Sequence, residues 1–144
     1  MRFIHYGSSK FNPNRFIKVK NSHWVKPFDG GLWASPKDSE YGWRDWCIDN
    51  DYGVEKLKRS FEFEIREDSK ILNLRSMKEI REASDKGFLY LAYPNRDDLF
   101  YLDFELIVKN YDAIYYECNN ETYFPLYGWD CDSLLVLNKN IIIV

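Results

Sequence analysis

The clearest pattern along the chain is Phe61-Glu62-Phe63-Glu64-Ile65, which alternates with period two and predicts a strand with one buried face. Asp68-Ser69 reads as a turn and Ile71-Leu72-Asn73-Leu74 as the returning strand. Upstream, Arg2–Tyr6 predicts a first strand that stops at Gly7-Ser8-Ser9. Residues Phe11 to Asp29 are rich in Asn, Pro and Lys and read as a long, loosely structured basic loop. Gly30-Gly31 then opens a short apolar strand, Leu32-Trp33-Ala34-Ser35. Ser35 before Pro36 has the form of a helix start, a hydroxyl cap followed by Pro at the first helical position. Asp38 and Glu40 would fall in the first turns, and that helix is expected to run to about Cys47.

Further along, Met77–Ser84 predicts a short helix. The apolar run Phe88–Tyr93 suits either a strand or a helix end. Asp97–Lys109 places Leu99, Leu102 and Leu106 at helical spacing. Asp112–Glu117, Leu134–Leu137 and Ile141–Val144 read as three more strands. Strands outnumber helices, and no repeat, low-complexity tract or linker divides residues 1–144. The expectation is one α+β domain with two packed, mainly antiparallel or mixed sheets, a cleft between them and two or three helices.

Composition sharpens this picture in three ways. With 45% hydrophobic and 30% charged residues, the chain of 144 residues has the makeup of a folded domain, not a disordered one. Its formal charge of −3 is too small to advertise a polyanion partner for the chain as a whole. Aromatics reach 18%, more than one small core absorbs, so some rings should line a cleft or an interface. The N-terminal residues lack a secretory h-region, and no stretch approaches ~20 apolar residues. The expectation is therefore a cytoplasmic protein with no membrane partner. Cys47, Cys118 and Cys131 are widely spaced, and the two histidines, His5 and His23, complete no zinc pattern, so no metal is expected.

Phosphate loops, the Gly-x-Ser-x-Gly elbow and His-Glu-x-x-His are all missing. A Ser/His/Asp hydrolase would need His5 or His23, and neither has a recognisable context. Asp130 and Asp132 lie two apart; in an extended segment they would share a face, where each would raise the other's pKa if both were buried. Taken singly, His5 and Trp33 also suit a core, Tyr41 and Trp43 suit packing, and the two aspartates suit a solvated turn.

The order of these features carries more than any one of them. His5-Tyr6-Gly7-Ser8 ends the first strand. Gly31-Leu32-Trp33-Ala34-Ser35 leads toward Tyr41 and Trp43, and Gly128-Trp129-Asp130-Cys131-Asp132-Ser133 enters a late strand. This layout resembles the ADP-ribosyltransferase fold family, over nearly the whole chain. The resemblance implies NAD as donor, with a His on an early strand holding the ribose and nicotinamide. It implies an aromatic on the next strand, here Trp33, packed against nicotinamide, and a late acid completing the site. In this chain Tyr6 stands between His5 and Gly7, and the acid is an aspartate: Asp132, nearer the following strand, with Asp130 in reserve.

The implied donor-binding set is His5, Tyr6, Gly7, Ser8, Trp33, Ser35, Tyr41 and Trp43. Of these, His5, Trp33, Ser35 and Tyr41 are expected to converge with Asp132 on one pocket. The basic residues Lys10, Arg15, Lys18 and Lys20 would meet the pyrophosphate. The expected function is mono-ADP-ribosyl transfer to a macromolecular acceptor, a host protein first and a nucleic acid second. A compact chain of this kind suits a phage- or mobile-element effector, either a toxin or an inhibitor of a host defence. The alternative is an inactive domain that binds a protein partner through its aromatic surface. Oligomeric state is not written in the sequence.

Overall fold

The computed structural model describes residues 1–22 and 24–144; His23 therefore lies outside the described residues. Among the described residues, nine strands and three α-helices follow one another in the order β1 (Phe3–Tyr6), β2 (Leu32–Pro36), α1 (Trp43–Asn50), β3 (Ser60–Ile65), β4 (Ile71–Leu74), α2 (Met77–Asp85), β5 (Leu89–Leu91), β6 (Phe100–Leu102), α3 (Phe104–Ile107), β7 (Ala113–Tyr116), β8 (Ser133–Val136) and β9 (Ile142–Ile143). Short 3-10 turns occupy Pro13–Arg15, Val54–Lys58 and Lys139–Ile141. The fold is α+β. The expected pair of sheets takes the form of one seven-stranded sheet, ordered β4-β7-β8-β2-β1-β3-β9, and a two-stranded one, β5-β6. Only the β4–β7 pair is parallel in the large sheet, which makes it mixed.

The central strands are buried on both faces, and their side chains alternate between two cores. Ile114, Tyr116, Leu135 and Leu137 join Ile80, Leu89, Phe100, Leu102, Phe104 and Ile107, so α2, α3 and the β5–β6 pair cover that face. Ala113, Leu134 and Val136 point the other way, into a cluster with Phe3, Phe61 and Phe63. Strands β7 and β3 stand four places apart, which is ~19 Å in a flat sheet. Their shared cluster follows from the curl that strand twist imposes.

Three expectations change at this level. No helix starts at Ser35: β2 runs through Pro36, which pairs with Phe3, and α1 begins at Trp43 after the Gly42 cap. Pro36 is tolerated because it ends its strand. The helical spacing over Asp97–Lys109 is overridden, since Phe100–Leu102 pairs antiparallel with Leu89–Leu91. Asp103 then accepts the Leu106 amide and starts the four-residue α3. The same pairing makes the Phe88–Tyr93 run a strand. The C-terminal run divides into a 3-10 turn and the two-residue β9.

Candidate functional site

Strands β1 and β2 pair at Phe3↔Pro36 and Ile4↔Ser35, and no further. Beyond that point β1 stays on β3, through His5↔Phe61 and Tyr6↔Ser60. Strand β2 stays on β8, through Leu32↔Val136, Trp33↔Leu135 and Ala34↔Leu134. The ladder opens there, and a cleft of about 550 Å³ occupies the opening, within the large sheet and not between two sheets as expected, because the two strands follow different partners. His5, Tyr6, Trp33, Ser35, Trp43 and Asp130 all line it. They come from segments up to 125 positions apart in the chain, His5 to Asp130. Lys26, Tyr52, Lys56 and Cys131 complete much of the remaining wall.

His5 spans the opening. Its Nδ1 stands 2.6 Å from the Trp33 carbonyl oxygen. A carbonyl only accepts, so Nδ1 carries the proton and Nε2 presents a lone pair. Among the described residues no donor meets that nitrogen. Burial favours the neutral ring and holds the imidazole below its ordinary pKa, against the opposing effect of the Trp33 hydrogen bond, which raises it. The ring also packs on Phe61, centroids 5.1 Å apart.

The aromatic wall is built by α1. Ser35 Oγ accepts the Trp43 amide at 2.9 Å and donates to the Asp132 carbonyl at 2.8 Å. The hydroxyl thus caps a helix, but one that starts eight residues on. Trp43 stacks on Trp46, centroids 5.2 Å apart and planes 11° apart, and Tyr52 meets both rings edge-on. On the other side Trp33 sits against Trp129 at 4.8 Å, whose Nε1 donates to the Val25 carbonyl.

The two aspartates part company. The large sheet's β8 begins only at Ser133, and the chain bends at 131–132, so the period-two rule does not apply to them. Asp132 does not line the cleft. Its carboxylate accepts the Ser39 hydroxyl at 2.7 Å and the Cys118 amide at 2.8 Å. Asp130 faces the cleft with Lys26 Nζ 3.9 Å away. Burial pushes its pKa up, opposed by Lys26. Cys131 is buried at the cleft floor, and burial pushes its thiol up to about 12, so it stays protonated.

Gly7, Ser8 and Tyr41 also lie off the cleft lining. Gly7 turns the chain at φ +115° and donates its amide to Arg59. Tyr41 gives its hydroxyl to Asp49 at 2.9 Å; burial and that carboxylate push its pKa up to about 12. Among the described residues of the basic loop, only Lys26 reaches the cleft; Arg15 lines a neighbouring hollow of about 400 Å³ that shares Trp33 as a wall. Tyr52, Lys56 and Lys26 were not singled out by sequence reasoning. The Trp43, Trp46, Tyr52 spacing was the available signal for Tyr52; Lys26 and Lys56 had none. Among the described residues, no three of His, Cys, Asp and Glu gather as a metal site, and no helix is long and apolar enough to cross a membrane. No protein-family model, curated protein or solved structure matches the chain.

Proposed function

We propose that the cleft between β1 and β2 binds NAD, breaks its nicotinamide–ribose bond and passes ADP-ribose to a macromolecular acceptor, as in the ADP-ribosyltransferases that the sequence layout resembles. The observation that carries this reading is the meeting of His5, Trp33, Trp43 and Asp130 in one cleft. Its volume falls in the ~300–1,000 Å³ range of small-molecule sites. Nicotinamide in NAD is a flat cation, and Trp faces attract such a ring by ~0.5–2 kcal/mol per contact. His5 Nε2, held as an acceptor, suits a ribose hydroxyl.

The C1′–N1 bond breaks with its electron pair going to the pyridine nitrogen, so nicotinamide leaves neutral. Positive charge is left on the ribose, as in glycoside cleavage. Asp130 is the carboxylate that stabilises it, in place of Asp132, whose oxygens are already taken by Ser39 and Cys118. The acceptor's nucleophilic atom bonds to C1′ and gives its proton to the Asp130 carboxylate. Lys26 must yield its contact with Asp130 as the cationic ring enters. A second reading, an inactive domain that binds a protein partner, draws on the exposed rings of Tyr93, Tyr123, Phe124 and Tyr127.

Calorimetric titration with NAD and an assay of nicotinamide release separate the two. Under the enzymatic reading Asp130→Asn keeps NAD binding and loses ~10²–10³ in rate. No NAD binding at millimolar concentration overturns it and leaves the second reading.

A further inference from the structure

Residues 7–30 hold five Lys or Arg and one Asp, so with His23 neutral this segment carries +4. The whole chain is −3, which leaves −7 on the remainder. The basic residues are interleaved with rings and apolar side chains: Arg15, Lys18, Lys20, Trp24, Lys26 and Phe28 fall within fourteen positions. Elsewhere on the surface Arg2, Lys37, Arg66, Arg75, Lys78 and Arg96 are paired with a carboxylate, whereas others such as Lys58, Arg59 and Arg81 have none within 4.0 Å among the described residues. Among the described residues, no carboxylate lies within 4.0 Å of the cationic nitrogens of Arg15, Lys18 or Lys20.

This segment has few regular elements yet is tied down. Val19 and Val25 are buried in the main core. Lys20 and Asp29 form a bridge, Phe28 donates its amide to the Lys20 carbonyl at 2.9 Å, and Gly31 donates to Ile17 at 2.8 Å. Phe28 is 77% exposed on that bridge, beside the hollow it shares with Arg15 and Trp33. Trp24, 49% exposed, lies against Gly128, where an added Cβ would stand 3.3 Å from the indole. Phe28 is thus held beside Arg15, and Trp24 beside Lys26, whose Nζ lies 5.5 Å from the indole centroid and which lines the cleft.

We propose that this face docks single-stranded nucleic acid. Bases stack on Phe28 and Trp24 while Arg15, Lys18 and Lys20 meet phosphates; rings serve any base, because each has a π-face. A protein partner would be better matched by an interface core depleted in charge, and this face is the most cationic segment of an acidic chain. Docking does not depend on NAD chemistry.

The test is fluorescence anisotropy with a labelled oligothymidine of about 15 nucleotides, without NAD, across salt from about 20 to 200 mM. Three phosphate contacts give a slope of log K against log salt near −2, at ~0.7 per contact for a single strand. Lys18→Ser with Lys20→Ser should flatten that slope by about 1.4. Phe28→Ala should weaken binding about 5–150-fold. Thermal melts confirm that these exposed substitutions leave the fold intact. No binding at low salt, an unchanged slope in the double variant, equal binding of a duplex, or equal binding of poly-glutamate would each overturn the proposal. None of the three replaced residues lines the cleft, so nicotinamide release from the same variants reports on the NAD reading separately.

Discussion

The imidazole Nδ1 of His5 and the carbonyl oxygen of Trp33 stand 2.6 Å apart, at the place where the ladder between β1 and β2 has just ended. A side chain there takes the carbonyl that the next rung of backbone would otherwise have served. Two strands can therefore separate without leaving a buried acceptor unmet, and the separation is the cleft. Because the bond needs a proton on Nδ1, the architecture of the sheet also selects the tautomer that faces the cleft.

A pH dependence follows from that contact. His5 titrates below its ordinary 6.5 in the folded protein, because burial disfavours the imidazolium. Below about 6.5 the unfolded chain binds a proton that the folded one does not, so His5 favours unfolding as pH falls toward the folded value. Its contribution is complete above the unfolded pKa. Denaturant unfolding between pH 7.5 and 5 should show stability falling with acidity, and His5→Leu should make that slope shallower. Nitrogen NMR should report the proton on Nδ1 at neutral pH.

The two aspartates should separate by kind of defect. Asp132→Ala removes an acceptor from the Ser39 hydroxyl and the Cys118 amide, and should cost about 2–4 kcal/mol in urea unfolding. Asp130→Asn relieves a carboxylate whose pKa is raised by burial, and should leave stability unchanged or slightly higher at pH 7. Its effect should be read in NAD turnover instead. Equal destabilisation by the two variants would contradict this division.

Ser35→Ala should loosen the start of α1. The buried hydroxyl joins the Trp43 amide to the Asp132 carbonyl, and its loss leaves both without that partner. The expected cost is about 1–3 kcal/mol, with faster amide exchange at Trp43. Since Trp43 lines the cleft, NAD affinity should fall with it.

Gly31→Ala should be strongly damaging. Gly31 sits at φ +76°, and an added Cβ would stand 2.6 Å from Leu135 Cδ1 and 3.1 Å from the Val136 carbonyl oxygen. Left-handed strain together with overpacking predicts a loss of roughly 2–4 kcal/mol. Gly53, at φ +58° with open space around its Cβ position, should lose only about 1 kcal/mol on the same change. Thermal denaturation of the two variants checks the difference.

Local pattern determined much of the fold on its own. The alternation at Phe61–Ile65, the short apolar runs that became β4, β7 and β8, and the Ser76-capped Met77–Asp85 helix are set by neighbours in the chain. The residue types of the cleft were partly legible too, because His and Trp are few in the chain. What the tertiary structure decided is which partner each segment meets. Pro36 became strand because Phe3 lies beside it, although Ser-Pro is also a helix start. Residues 100–102 became strand because 89–91 were there to pair, although Leu99, Leu102 and Leu106 suit a helix. Which of Asp130 and Asp132 lines the cleft turned on a bend at 131–132 and on an amide supplied by Cys118. Period and propensity act over a few residues, whereas a hydrogen bond between distant segments exists only once the chain has closed, and at each of these places that bond outweighed the local preference.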